Sequence, residues 1–251
     1  MIIHSFDGQS EPVIGPESFL GPQRHLCDIC ILTFSHVILD EMKRCFFLRE
    51  VGAIRSVNGE RPIYLFQHEE QTLAVFLTGT GATMAGTDVV ELNWLVGATK
   101  FIMFGSAGSL NQAQTGGRYV LPTEAYRDEG FSYHYAPPLD YIRIKNAVRM
   151  AEMFQTLGLP YTMGRVWTTD AFYRETRNQV KARQDEGCVA VEMELAGVQA
   201  VCDFHGFELF DFLVTGDVLD APEYQNAGLH AANHDLDKLQ IALELAKRIE
   251  A

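Results

Sequence analysis

The chain has 251 residues, 47% of them hydrophobic, with a formal net charge of -13 and a sequence pI near 5.0. That acidity excludes a protein that wraps a nucleic-acid backbone, which needs a basic footprint, but not a small anionic substrate met by a few local cations. Five cysteines (Cys27, Cys30, Cys45, Cys188, Cys202) are an odd, sparse set that suits a reducing compartment. The start, Met1 to Asp7, lacks the basic and apolar regions of a signal peptide, and no apolar run approaches the roughly 20 residues of a membrane span. A cytoplasmic protein with no membrane or nucleic-acid partner is expected.

Strand-like and helix-like segments alternate without a low-complexity linker or internal repeat, which predicts one domain over 1–251. Asp28 to Phe34 reads as a short apolar strand. Arg61 to His68 and Thr72 to Thr78 read as a hairpin about the acidic turn Glu69-Glu70. Gly79-Thr80-Gly81 then opens a helix carrying Met84, Val89, Leu92 and Leu95. Lys100 to Phe104 is a buried strand closing on a loop, Gly105-Ser106-Ala107-Gly108, and Arg118 to Leu121 is another strand. Tyr141 to Leu157 has an amphipathic pattern supplied by Ile144, Val148, Met150, Met153 and Phe154. Val166 to Thr169 is a strand and Arg174 to Gln184 a polar surface helix. Cys188 to Val191 is a buried strand turning into a helix, Leu209 to Val214 is a further strand, and Leu236 to Ile249 is a terminal helix. The alternation predicts an α/β fold with a central, mostly parallel sheet and helices on both faces.

Several motifs have both a chemical and a purely structural reading. Gly79-Thr80-Gly81 resembles the start of a dinucleotide fingerprint, but Met84 occupies the third glycine position, so the motif is incomplete. What remains is that glycines let backbone N–H groups approach an anion or sugar at a helix start, and the Gly105 to Gly108 turn offers similar donors plus a hydroxyl. Cys27-Asp28-Ile29-Cys30 has CxxC spacing with no second pair, which reads as two buried thiols. His230 and His234 would share a helix face, yet no HExxH surrounds them and no third ligand is evident, so no metal is expected. Phe172-Tyr173, following Thr169-Asp170 at a strand end, is either core or a base-stacking platform.

Carboxylates carry the strongest chemical signal. Glu192 and Glu194 lie at the turn between a buried strand and a helix, and Asp217 follows the apolar run Leu209 to Val214. Acids at the C-terminal ends of core strands stand where open α/β folds bind ligands. Burial there raises a carboxyl pKa and makes a proton donor near neutrality. A carboxylate can also accept both hydroxyl protons of a ribose. A sugar clamp and an acid together suggest chemistry on a nucleoside.

From His4 to the final helix the chain resembles the nucleoside phosphorylase and nucleosidase superfamily, of the purine nucleoside and uridine phosphorylase type. The resemblance rests on Val191-Glu192-Met193-Glu194 with Ala196-Gly197, the turn Gly79 to Gly81, Gly105-Ser106-Ala107-Gly108, and Thr215-Gly216-Asp217. It implies a three-layer α/β sandwich around a mixed sheet that partly closes as a barrel. It implies cleavage of an N-glycosidic bond, usually by phosphate. Glu194 matches the acid that holds the ribose 2′- and 3′-hydroxyls, Met193 packs on the sugar, and Glu192 matches a second acid nearby. Asp217 matches the acid that protonates a purine at N7, and Phe172 an aromatic residue near the base. His4 matches a histidine reaching the 5′-hydroxyl from a neighbouring subunit, which implies a homo-oligomer, a dimer or a trimer of dimers. No cofactor is implied beyond phosphate as co-substrate.

The departures fall on the nucleophile. Where phosphorylases usually carry Pro-Gly-Asp-Pro-x-Arg, this chain reads Phe34-Ser35-His36-Val37-Ile38-Leu39, and a second arginine position holds Met103. Arg61 matches a third phosphate arginine, donated across the subunit interface; the alternative is a solvated strand-end cation beside Glu60. Ser106 is retained, and Thr80 with the N–H groups of Gly81 and Gly105 are further phosphate donors. His36 is a candidate for compensating the lost arginines. Three readings follow: a phosphorylase with a rebuilt phosphate site, a hydrolytic nucleosidase using water, and a binding protein without turnover. Keeping both Glu194 and Asp217 counts against the third, and phosphorolysis ranks ahead of hydrolysis.

Overall fold

A computed structural model describes residues 1–249. In chain order it runs β1 (Ile29–Thr33), α1 (His36–Cys45), β2 (Arg49–Ser56), β3 (Gly59–His68), β4 (Gln71–Leu77), α2 (Ala82–Val96), β5 (Lys100–Ser109), α3 (Gln112–Thr115) and β6 (Tyr119–Asp128). It continues through β7 (Tyr141–Arg143), α4 (Ala147–Thr156), β8 (Tyr161–Thr169), α5 (Arg177–Asp185), β9 (Cys188–Glu192), α6 (Leu195–His205), β10 (Glu208–Val218), α7 (Leu229–Asn233) and α8 (Asp237–Ile249). The strands form one mixed sheet in the order β10-β6-β8-β9-β5-β1-β4-β3-β2, with β7 on β6. A further pairing of β10 with β5 closes β5, β10, β6, β8 and β9 into a barrel-like ring.

All five residues of β1 are buried, as a strand covered on both faces requires. Its alternate side chains enter two hydrophobic layers. Cys30 and Leu32 pack with Ala85, Val89 and Leu92 of α2 and with Ala196 and Val198 of α6. Ile29 and Ile31 pack with Ile38 and Met42 of α1, Phe154 of α4, and Leu239 and Leu243 of α8. That division makes the three-layer sandwich expected of the sequence. Cys27 and Cys30 are buried free thiols, and burial pushes Cys27 up to about 12.

Several boundaries differ from the sequence expectation, three of them at or near the cavity or its flank because a distant strand supplies a partner. The glycine turn Gly105 to Gly108 is no loop: it continues β5 in parallel register with β10, Gly105 opposite Leu213 and Ser106 opposite Val214. Strand β10 likewise runs through Thr215-Gly216-Asp217, with its register breaking between Thr215 and Asp217. A bulge of this kind re-aims a side chain. The segment Tyr141 to Leu157 splits, because Tyr141 to Arg143 pair with Tyr126 to Glu124 of β6 and only Ala147–Thr156 is helical. Strand β2, polar and largely exposed, carries little apolar periodicity and was not expected.

Candidate active site

The C-terminal ends of β1, β5, β9 and β10 open into a cavity of about 690 Å³, within the usual range for a small-molecule site. Glu192, Met193, Glu194, Asp217, Phe172 and Tyr173 all line it. So do Thr80, Gly105 and Ser106. One cavity therefore gathers these residues from five separate segments of the sequence, as expected of a strand-end site.

Two helix starts meet at the paired glutamates. The Glu192 carboxylate accepts the N–H groups of Glu194 and Leu195 at the start of α6, both at 2.7 Å, and the Thr168 hydroxyl. Glu194 accepts the Gly81 N–H at the start of α2, at 2.6 Å. Gly81 adopts φ +95°, a conformation open to glycine and strained for other residues. A Cβ on Gly197 of α6 would come within 2.7 Å of the Ala82 Cβ of α2, so glycine there lets the two helices approach and bring their N-termini together. The positive ends of both helices favour negative charge on the pair. Burial opposes it and pushes both carboxyls above their ordinary range, Glu194 further raised by the charge of Glu192. Asp211 of β10 is buried, and among the described residues neither of its carboxyl oxygens has a hydrogen-bond partner. Burial and the two glutamates hold its pKa well above the usual carboxylate range.

On the Asp217 side, the Tyr224 hydroxyl donates to Asp217 Oδ2 at 2.9 Å. Burial raises the Asp217 pKa. Glu175, also lining the cavity, is pushed up to about 7 by burial and by the charge of Asp217. Phe172 and Tyr173 stack with ring centroids 3.9 Å apart and remain 48% and 89% exposed, so they form the rim of the cavity rather than core. A third wall is built from Thr33, Ser35, Ser106, Asn233, His234 and Lys238.

The residues expected to bind phosphate occupy several environments. Arg61 lies outside the cavity of its own chain: its guanidinium makes a two-pronged ion pair with the buried Asp88 of α2, one prong at 2.5 Å, and sits over the Phe76 ring. It is not a solvated cation beside Glu60 either, since Glu60 pairs with Arg55. The Gly81 N–H is already engaged by Glu194, and Gly105 belongs to a sheet ladder. His36 meets the His234 ring edge-on, with centroids 5.4 Å apart, but does not line the cavity. Leu39 and Met103, where arginines were expected, are buried in opposite hydrophobic layers. His4 ends an exposed turn and lies outside the cavity of its own chain. Removing the Arg61 guanidinium leaves Asp88 as an uncompensated buried charge. Arg61→Ala is expected to lower unfolding stability by about 3–5 kcal/mol in denaturant titration. A loss under about 1 kcal/mol would mark the pair as solvated.

Sequence reasoning missed Glu175, Tyr224, Asn233 and Lys238 as cavity residues. Lys238 had one visible signal, a charged side chain immediately before the apolar stripe that begins at Leu239.

Comparison with known proteins agrees with this architecture. The family model of the phosphorylase superfamily matches residues 28–249. The chain is 26% identical over 211 residues to a DeoD-type purine nucleoside phosphorylase of Exiguobacterium sp., covering 81% of this chain and 86% of the relative. It is 28% identical over 203 residues to the protein of that name from Caldanaerobacter subterraneus subsp. tengcongensis, covering 75% and 83%. Its fold is similar to that of an S-adenosylhomocysteine nucleosidase from Streptococcus pyogenes in complex with 5-methylthiotubericidin, with a TM-score of 0.70 at 15% identity over 89% of this chain and 97% of that one.

Proposed function

The chain belongs to the phosphorylase superfamily, and from that premise we propose that it cleaves the N-glycosidic bond of a purine nucleoside with phosphate, giving free base and a sugar 1-phosphate. The observation that carries this reading is the placing of Glu194 and Asp217 in one cavity, both with raised pKa. Glu194 accepts the ribose 2′- and 3′-hydroxyl protons, while Glu192, held by its three donors, positions the turn that presents it. Met193 packs on the sugar, and Phe172 and Tyr173 face the base. As the C1′–N9 bond breaks, its electron pair moves to the base and Asp217 delivers a proton to N7. A phosphate oxygen then bonds to C1′ of the oxocarbenium-like sugar, with Thr80 and Ser106 hydroxyls beside it.

Hydrolysis is the second reading, favoured by the apolar Leu39 and Met103. Incubation with a nucleoside panel, with and without phosphate, separates the two. Phosphate-dependent release of purine base with sugar 1-phosphate is expected. Free ribose at a phosphate-independent rate would replace phosphorolysis by hydrolysis, and binding without cleavage would leave a nucleoside-binding protein. The exposed His4 belongs to a neighbour's site in this reading, which requires at least a dimer. Sedimentation of the active enzyme as a monomer would remove His4 from the scheme.

A further inference from the structure

The wall formed by Ser35, Ser106, Asn233, His234 and Lys238 has a polarity opposite to the rest of the cavity. Lys238, at the start of α8, is 1% exposed and lines the cavity. Its ammonium donates to the Ala232 carbonyl at 2.5 Å and lies 6.0 Å from the centre of the Phe104 ring. Among the described residues it forms no ion pair; Asp235, whose charge acts on it, accepts the Asp237 N–H. An ammonium has three donors, so two are left by the Ala232 contact. A buried lysine without an anionic partner is costly, and the cost is recovered if the partner comes from outside.

The neighbouring groups have donors to offer. Ser35 Oγ accepts the Ile38 N–H at 3.2 Å and stands 2.8 Å from His234 Nδ1. In the tautomer that accepts the Ser35 proton at Nδ1, the imidazole proton resides on Nε2 and is free to donate. Ser106 donates to Asn233 Oδ1, which fixes that amide with its NH₂ unspent. The rings of His36 and His230 meet His234 edge-on, with centroids 5.4 and 4.7 Å away. Among the described residues no three His, Cys, Asp or Glu side chains converge as metal ligands, and a buried lysine repels a cation.

We infer that this wall seats an inorganic oxyanion, held chiefly by Lys238 Nζ and His234 Nε2 and completed by the Asn233 amide. Resting on the phosphorolysis reading, the site is where the attacking phosphate sits, and Lys238 rather than an arginine supplies the positive charge. A lysine meets phosphate as a point charge and a histidine adds one directional donor, which together suit an inorganic oxyanion.

Inorganic phosphate alone, added to the purified protein without nucleoside, is the direct probe. Phosphate is expected to raise the melting temperature and to titrate calorimetrically, whereas chloride at equal ionic strength does neither. Lys238→Met, which keeps the packed volume, is expected to weaken phosphate binding by about 10- to 100-fold, the range for losing a charged hydrogen bond. In turnover, the phosphate KM should rise by a similar factor while the nucleoside KM stays within about 2-fold. Lys238→Arg should restore part of the loss. If Lys238→Met unfolds the chain, His234→Gln in the same titration carries the test, with a loss of at least about 5-fold expected. Phosphate binding that survives in both folded variants, or is absent in the unmodified protein, overturns the assignment. Binding that depends on Lys238 in a protein that releases only free ribose would keep the anion seat and overturn phosphorolysis instead.

Discussion

Asp217→Asn is expected to lower purine nucleoside cleavage by roughly 10²- to 10⁴-fold, the contribution of a positioned general acid, while the protein stays folded. The carboxamide keeps the size of the side chain and can still accept the Tyr224 hydroxyl that now reaches Asp217 Oδ2 at 2.9 Å, so packing changes little. What it loses is the transferable proton. Nucleosides whose base leaves readily without protonation should be far less affected, which distinguishes a lost acid from a damaged pocket. The pH dependence has a definite sign: burial raises the Asp217 pKa, so the donating form is present below that value and activity falls as pH rises through it. The variant should lose this alkaline limb. Normal turnover of inosine or adenosine by Asp217→Asn would end the assignment.

The gathering of the acids in one cavity was legible because the carboxylates terminate apolar runs. Glu192 and Glu194 follow a buried strand and Asp217 follows Leu209 to Val214, and strand ends are where this fold class opens to ligands. The anion wall was not legible. Lys238 precedes a regular apolar stripe, and its burial comes from the Ala232 carbonyl in the preceding helix and from Phe104 on a strand far back in the chain. The Arg61 ion pair was hidden for the same reason: whether a cation is free depends on Asp88, 27 residues onward and on another element. The extension of β5 through its glycines also depends on a remote partner, since small residues read as a turn until β10 is laid beside them. Local pattern locates the acids; long-range pairing decides which cations remain available to them.

Glu194→Ala is expected to cost more with ribonucleosides than with 2′-deoxynucleosides. One carboxylate accepting two hydroxyl protons loses two charge-assisted hydrogen bonds on a ribose but only one on the deoxy sugar. At about 1.5–3 kcal/mol per bond the discrimination should shrink by roughly 10- to 100-fold in kcat/KM. The competing explanation is that Glu194 only stabilises the start of α2 through the Gly81 N–H, at 2.6 Å. A capping role of that kind is worth about 1 kcal/mol of stability and does not sense the sugar. Glu194→Gln separates the two, because its amide oxygen can still accept the Gly81 N–H while the charge on the sugar hydroxyls is gone. It should keep the melting temperature near that of the unmodified protein and still lose the preference for ribose. The burial that raises the Glu194 pKa gives this experiment a second axis: the clamp needs the ionised form, so ribose preference should strengthen as pH rises toward and past neutrality. Equal losses for both sugars at every pH would reduce Glu194 to a structural carboxylate at a helix start.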